Sequence, residues 1–231
     1  MISDYYKNRG SYRGPYGEYE DKILNFLSEG KTLLDVGCGR TFPMAQKWLE
    51  SDAKVFGLDP VIEPDLCLPE VNAVKGFADK VDCPDQFFDL IVSCAVLEHL
   101  ENPEIVFKEF YRLLKPRGRA ILLTPSKYDY VSLIAALIPN RFHGGIVEAT
   151  EGRDEEDTFP TYYLANSRKQ LNALASGAGF FLEDFKYLDQ SPYSLKFNLA
   201  LYKIGCLYHK IVRSIPPLNF LNGWILCEIG K

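Results

Sequence analysis

Two glycines framed by two carboxylates carry the first chemical signal in this chain. Residues 35–39 read Asp35-Val36-Gly37-Cys38-Gly39, and a second acid, Asp59, follows Gly39 by twenty residues. Gly37 and Gly39 can take positive φ and let the backbone approach a ligand that a side chain would hold off. A helix is expected just after the loop, so free N–H groups at its start would face the same place. Asp59 ends a second apolar run, where its carboxylate can accept hydrogen bonds from two ribose hydroxyls. A glycine pair alone means only a tight turn. Strand, Asp-x-Gly-x-Gly, helix, strand and acid together describe a site for a nucleotide-like cofactor. A nicotinamide dinucleotide is the competing ligand. Its fingerprint wants a third glycine where Phe42 stands, and its pyrophosphate would sit poorly against Asp35.

The elements that must position these residues follow from periodicity. Tyr19, Ile23, Phe26 and Leu27 recur at helical spacing over residues 18–27, and Gly30 closes that helix. Strands are then expected at 32–36, 54–59, 72–76, 88–93 and 119–124, with helices at 43–50 and 103–114 between them and a turn at 115–118. Strands alternating with helices imply a parallel sheet covered on both faces, and crossover handedness makes it doubly wound. Beyond Pro125 the alternation weakens. A short apolar helix is expected at 130–138 and a solvated acidic loop at 148–157. A helix at 167–176 ended by Gly177 and Gly179, a strand at 180–188, a long helix at 194–213 broken by Pro216-Pro217, and a last strand at 224–229 complete the pattern.

Composition bounds the function. The chain has 231 residues, 47% of them hydrophobic, and a net charge of −5, which argues against nucleic-acid binding because that needs a basic field. Six cysteines make no CxxC pair and suit no zinc site, so reduced thiols in a cytoplasm are expected. The polar, tyrosine-rich first 31 residues do not read as a signal peptide, and no uninterrupted apolar run is long enough to predict a transmembrane helix.

The segments LLDVGCGR, VFGLD, FFDLIVSCAVLEHL and EFYRLLKPRGRAILLTP resemble the motif series of class I S-adenosylmethionine-dependent methyltransferases, most of all their type 11 small-molecule group. The resemblance covers residues 31–126 well and 159–180 more loosely. It implies an α/β fold with a doubly wound, mostly parallel seven-stranded sheet, the Rossmann-like methyltransferase fold, in one domain over residues 1–231. Around this core stand an N-terminal cap at 1–30, a lid or substrate insertion at 127–165, and a helical insertion at 191–222 before the last strand. By resemblance, Asp35, Gly37, Cys38 and Gly39 line the methionine and ribose parts of the cofactor, S-adenosylmethionine, which is converted to S-adenosylhomocysteine. Asp59 takes the ribose hydroxyls and Pro60 lies near the adenine. The family's Gly-Asp-Ala-Glu loop reads Gly76-Phe77-Ala78-Asp79 here. Phe77 would then stack on adenine, Ala78 would offer its N–H, and Asp79 could supply the missing acceptor. Cys94 passes beside the methyl donor. Metal-binding relatives carry a Glu where Ala95 stands, so no metal is expected, and Glu98 and His99 are read as holding the following helix.

The acceptor side is less specified. His143, before a Gly-Gly pair in the insertion, is the candidate general base for a hydroxyl acceptor. Tyr16, Tyr128, Tyr162 and Tyr163 belong to two tyrosine clusters that could hold a sugar or ring. In the 194–213 helix Phe197, Ala200, Leu201, Ile204, Tyr208 and Ile211 fall on one face, while Lys196, Lys203 and Lys210 recur every seven residues on another. Such a helix can lie on an anionic membrane, or it can pack on its own domain or on a second subunit of a homodimer. The expected function is methyl transfer to a small-molecule or glycan-type acceptor at oxygen, by an enzyme in the cytoplasm or at the inner face of the membrane. The alternatives are C-methylation of a quinone-like ring and a non-catalytic cofactor-binding module.

Overall fold

The structure is a computed structural model that describes residues 12–130 and 159–231. Seven strands form one sheet: β1 (Thr32–Val36), β2 (Lys54–Asp59), β3 (Asn72–Lys75), β4 (Phe88–Cys94), β5 (Leu114–Pro125), β6 (Phe181–Leu188) and β7 (Trp224–Gly230). Their spatial order is β3-β2-β1-β4-β5-β7-β6. β1 to β5 pair in parallel, and β7 runs antiparallel between β5 and β6. The order reverses between β1 and β4. In doubly wound sheets the crevice at the carboxyl ends of the strands at such a switch point takes the ligand.

Side-chain alternation builds two core layers. Leu34, Ile91, Leu122 and Ile225 face one side, where they pack with Phe107 and Phe110 of helix α3 (Pro103–Leu113) and Leu171 of α4 (Arg168–Ala178). Leu33, Leu90, Val92, Ile121 and Leu123 face the other side, against Tyr19 and Ile23 of α1 (Pro15–Phe26) and Trp48 of the short α2 (Ala45–Leu49). Each fully buried aliphatic or aromatic side chain contributes about 1.5–3 kcal/mol. These layers therefore fix the register that brings Asp35 opposite Gly57 and Val92.

The N-terminal helix starts at Pro15, whose missing N–H costs nothing at a first helical position. It is held to the antiparallel end of the sheet by Lys22, which bonds Asp184 at 2.9 Å and Glu228 at 2.5 Å, and Arg119 also pairs with Glu228. Burial alone would raise the Glu228 carboxyl. The hydrogen bonds and charges of Lys22 and Arg119 bring it below its ordinary value.

Several boundaries differ from the expectations. Residues 115–118, expected as a turn outside the strand, are a bulge within β5: Phe88 pairs with Leu114, Leu90 with Arg119, and Arg117 takes a φ of 67°. α4 runs through Gly177 and ends at Gly179, whose φ of 99° makes the left-handed cap, while Ser167 caps its start. The last helix, α5 (Leu199–Ser214), begins behind an Asn198 cap rather than at residue 194. Its buried face is not the apolar one. Tyr202, Gly205, His209 and Val212 face the domain, whereas Leu201, Ile204 and Ile211 of the apolar face are exposed. Gly205 explains the choice, because a Cβ there would come 2.6 Å from Pro192 Cβ. Only that sector lets the helix approach the 191–195 turn. The helix expected at 130–138 and the acidic loop at 148–157 lie outside the described residues.

Candidate active site

The chain leaves β1 through two left-handed glycines, Gly37 at φ 79° and Gly39 at φ 78°. Gly37 N–H donates to the Leu58 carbonyl at 2.8 Å, tying the loop to the end of β2. A Cβ on Gly37 would meet Val96 Cγ2 at 2.0 Å, whereas one on Gly39 would point into open space. Gly37 is thus glycine for the protein's own packing. Gly39 leaves room where a ligand would lie. Gly39 N–H donates to Asp59 Oδ2 at 2.9 Å, and Val61 N–H donates to Oδ1 at 2.9 Å. The buried Asp59 carboxylate therefore locks both loops and retains lone pairs for ribose hydroxyls.

Asp35 is buried at the end of β1 and accepts a 3.0 Å hydrogen bond from Trp48 Nε1. Burial pushes its carboxyl up to about 7, the Trp48 bond works against that rise, and the charge of Asp59 adds to it. A cation placed beside it would restore the ionised form. The Cys38 thiol, pushed up by burial, points inward at Gly57, so this residue can offer a ligand only its backbone. Phe42 stands where a dinucleotide fold would want its third glycine. It is buried, has a φ of 49°, and its ring lies over Gly57, where a Cβ would come 2.5 Å from Phe42 Cδ1. The space that a third glycine would open is filled.

The loop after β3 joins this edge through Gly76 N–H, which donates to the Asp59 carbonyl at 3.3 Å. Phe77 is 64% exposed there, beside half-buried Pro60 and Ala78 and exposed Asp79. An exposed ring and a proline near the Asp59 carboxylate can cover the faces of a planar base.

At the end of β4, Ser93 Oγ donates to the Val36 carbonyl at 3.0 Å, and Ala95, at φ 55°, donates its N–H to the Leu123 carbonyl at 2.9 Å. Cys94 between them is half-buried. Glu98 is buried, accepts from Thr124 Oγ1 at 3.2 Å, and offers its carbonyl to the N–H groups of Tyr162 and Tyr163. Asn166 completes the network by donating to Thr124 Oγ1 at 2.7 Å. His99 Nδ1 donates to the Pro160 carbonyl at 2.9 Å. Glu98 and His99 thus anchor the returning segment 159–163 to the sheet, whereas the task expected of them was to hold the following helix.

The tyrosines gather along the same edge from distant parts of the chain. Tyr16 of α1 packs on Trp224 at 5.2 Å and Tyr128 packs edge-on to Phe220 at 5.7 Å, while Ser126 N–H donates to the Gly223 carbonyl. Tyr162 is exposed and Tyr163, at φ 52°, is half-buried. His143 lies outside the described residues. Sequence reasoning did not single out Tyr19. Its hydroxyl is buried with no hydrogen-bond partner among the described residues, and burial, then Asp35, then Cys94 raise its pKa. Asp35 and Cys94 stand near the carboxyl ends of β1 and β4. The signal that could have found Tyr19 is its place on the buried stripe with Ile23, as a tyrosine where an apolar residue would do.

A 27% identical relative over 146 residues is a ubiquinone biosynthesis O-methyltransferase of Pseudomonas entomophila, with 56% of this chain and 62% of that protein covered. A sterol 24-C-methyltransferase of Aspergillus fumigatus is 34% identical over 102 residues, covering 40% of this chain and 27% of its own length. The chain thus spans less than two thirds of either relative. The solved geranyl diphosphate C-methyltransferase of Streptomyces coelicolor, bound to S-adenosyl-L-homocysteine, shares the fold at a TM-score of 0.58 and 14% identity, covering 93% of this chain and 77% of that one. The model of the methyltransferase domain matches residues 12–184, from α1 through β6 and so across the whole glycine-loop edge. The chain therefore belongs to the methyltransferase-domain family of class I, Rossmann-like, S-adenosylmethionine-dependent proteins.

Proposed function

We propose that the chain transfers the methyl group of S-adenosylmethionine to an oxygen of a small-molecule acceptor, of glycan or lipid-linked type. One observation carries this reading: the left-handed Gly39 leaves open space beside its backbone between two buried carboxylates, Asp35 and Asp59. S-adenosylmethionine supplies there a methyl carbon made electrophilic by its sulfonium. Asp35 is the counter-charge for the cationic methionyl end, and that charge keeps it ionised. Asp59 accepts from the ribose hydroxyls. Phe77 and Pro60 flank the adenine, with the Ala78 N–H and the Asp79 carboxylate at its edge. The backbone of Cys38 and Cys94 borders the donor end, and the Tyr19 hydroxyl serves as a donor to it.

Methyl transfer is an in-line displacement, so the chain's main contribution is to align acceptor and donor and to exclude water. Tyr16, Tyr128, Tyr162 and Tyr163 line the acceptor's approach, and His143 is assigned the role of general base toward its hydroxyl. The relative named for ubiquinone biosynthesis supports an oxygen acceptor. The sterol relative favours carbon, which is the second reading, as on a quinone-like ring, but its match covers only 40% of this chain. Six free thiols support a cytoplasmic location.

Titration calorimetry with S-adenosylmethionine and, separately, with a nicotinamide dinucleotide tests the cofactor. Micromolar binding of the first and none of the second is expected. No heat from S-adenosylmethionine at millimolar concentration would sink the reading. Release of S-adenosylhomocysteine in the presence of lipid and glycan extracts then separates an enzyme from a silent binding module.

A further inference from the structure

α5 carries three distinct faces. At about 100° per residue, Tyr202, Gly205, His209 and Val212 form one sector, and all four are buried against the domain. Leu201, Ile204, Leu207 and Ile211 form a second sector open to solvent, with Ile204 62% exposed. Lys203, Lys210 and Arg213 form the third. The open apolar sector continues past both ends of the helix, through Phe197, 75% exposed, and through Ile215. Of the twenty exposed large apolar side chains among the described residues, nine lie between positions 193 and 220. Scattered apolar residues on a surface are ordinary, but a concentrated stripe marks an interaction site.

Charge decides what the site would accept. Residues 190–227 contain no Asp or Glu, yet they include Lys196, Lys203, Lys210 and Arg213 in a chain of net charge −5. Arg213 reaches Asp189 at 3.2 Å, which leaves the three lysines as the basic flank of the stripe. A two-fold contact between copies of this chain would set lysines against lysines with no acid in the segment to offset them. An anionic lipid surface instead meets an apolar stripe and a flanking row of lysines at once: the stripe enters the acyl boundary and the lysines stay at the headgroups.

We infer that the outer face of α5 rests on an anionic lipid bilayer, lying in its interface plane. The placement also suits access to the acceptor-side edge. Tyr208 of α5 donates its hydroxyl to the Leu221 carbonyl at 3.1 Å, and Tyr130, just past β5, packs on Tyr208 and His209 at 5.4 and 5.9 Å. The helix is thus fastened beside the carboxyl end of β5, where Tyr128 stands. An acceptor embedded in the bilayer would reach that edge without crossing water. The inference about α5 does not depend on the identity of the acceptor.

Co-sedimentation of the whole chain with vesicles tests it. Pelleting is expected with vesicles of one third phosphatidylglycerol in phosphatidylcholine. It should drop several-fold with pure phosphatidylcholine and fall as salt rises, because surface charges are screened. The triple variant Lys196→Glu, Lys203→Glu, Lys210→Glu should lose at least about tenfold in vesicle affinity, which corresponds to about 1.4 kcal/mol. So should Ile204→Ser with Ile211→Ser, which leaves the buried face of α5 intact. Both variants should keep the wild-type melting temperature and S-adenosylmethionine affinity, so a folding defect is distinguishable from a lost surface. Wild-type protein that stays in the supernatant with anionic vesicles would overturn the inference. Unchanged pelleting of either variant would overturn it too, as would a concentration-dependent dimer that the isoleucine variant abolishes.

Discussion

Between β1 and β3 the carboxyl edge of the sheet is built mainly from backbone. Two left-handed glycines and the buried carboxylates of Asp35 and Asp59 define it, all within 25 residues of chain. Between β5 and β7 the same edge is built from aromatic side chains. Tyr16, Tyr128, Phe220 and Trp224 meet there from segments that span more than 200 residues. The first region has little freedom, because positive φ and buried charge tolerate few substitutions. The second can change shape by exchanging rings. A scaffold arranged this way keeps its donor constant and lets its acceptor vary, and the comparison predicts different responses to mutation.

The largest effects belong to the glycines. Gly37→Ala is expected to lower both S-adenosylmethionine affinity, by at least about a hundredfold, and the melting temperature, because its Cβ meets Val96 at 2.0 Å. Gly39→Ala meets no protein atom within 4 Å and carries only the left-handed strain of about 1–2 kcal/mol. It should stay folded and still lose cofactor affinity. Calorimetry on the two variants tests this, and a Gly39→Ala protein that binds like wild type would show that no ligand occupies that space.

The next effect is a pH dependence confined to the first region. Asp35 has a carboxyl raised to about 7, so acidification through neutrality removes the charge proposed to face the cofactor. Affinity should be about tenfold weaker at about pH 6 than at about pH 8, and Asp35→Asn should flatten the profile. The sign for folding is opposite. A carboxyl whose folded pKa is raised contributes stability in acid that is lost as pH rises through about 7. The ligand-free protein should therefore gain stability from this group below neutrality, measurable as the wild-type minus Asp35→Asn difference in denaturant midpoint. A pH-independent affinity in the wild type would separate Asp35 from the cofactor's charge.

The smallest effect sharpens the boundary between the regions. Tyr19 comes from the N-terminal helix, yet after burial it is Asp35 and Cys94 that raise the pKa of its hydroxyl. Tyr19→Phe removes a buried hydroxyl that has no partner in the described residues, so the ligand-free protein should melt at the same temperature or slightly higher. Cofactor affinity should drop about five- to tenfold, close to the worth of about 1 kcal/mol for one hydrogen bond. A variant with unchanged affinity would place Tyr19 in the packing alone.

Legibility in the sequence followed the same division. The starts of β1 to β4 were legible to the residue, because short apolar runs stopped by glycine and proline carry their own boundaries. The bulge at 115–118 read as a turn, since Lys-Pro-Arg-Gly has turn chemistry locally and only the pairing of Phe88 with Leu114 keeps it in the strand. The packed face of α5 stays open in the sequence for a related reason. Hydrophobicity marks the Leu201–Ile204–Ile211 stripe without saying what covers it, while the close approach of Gly205 to Pro192 selected the other side for packing.

What the sequence determined by itself was the donor half: a turn that needs glycine, an acid at each strand end, and the alternation that makes the sheet doubly wound. These depend on neighbours in the chain, so local physics suffices to read them. The tertiary structure decided which tyrosines meet at the β5–β7 end of the sheet, that the Tyr19 hydroxyl is buried where the charge of Asp35 acts on it, and that α5 turns its oiliest face outward. Those outcomes depend on which surfaces fit against each other at close range, and steric fit between distant segments leaves no periodic trace in the chain.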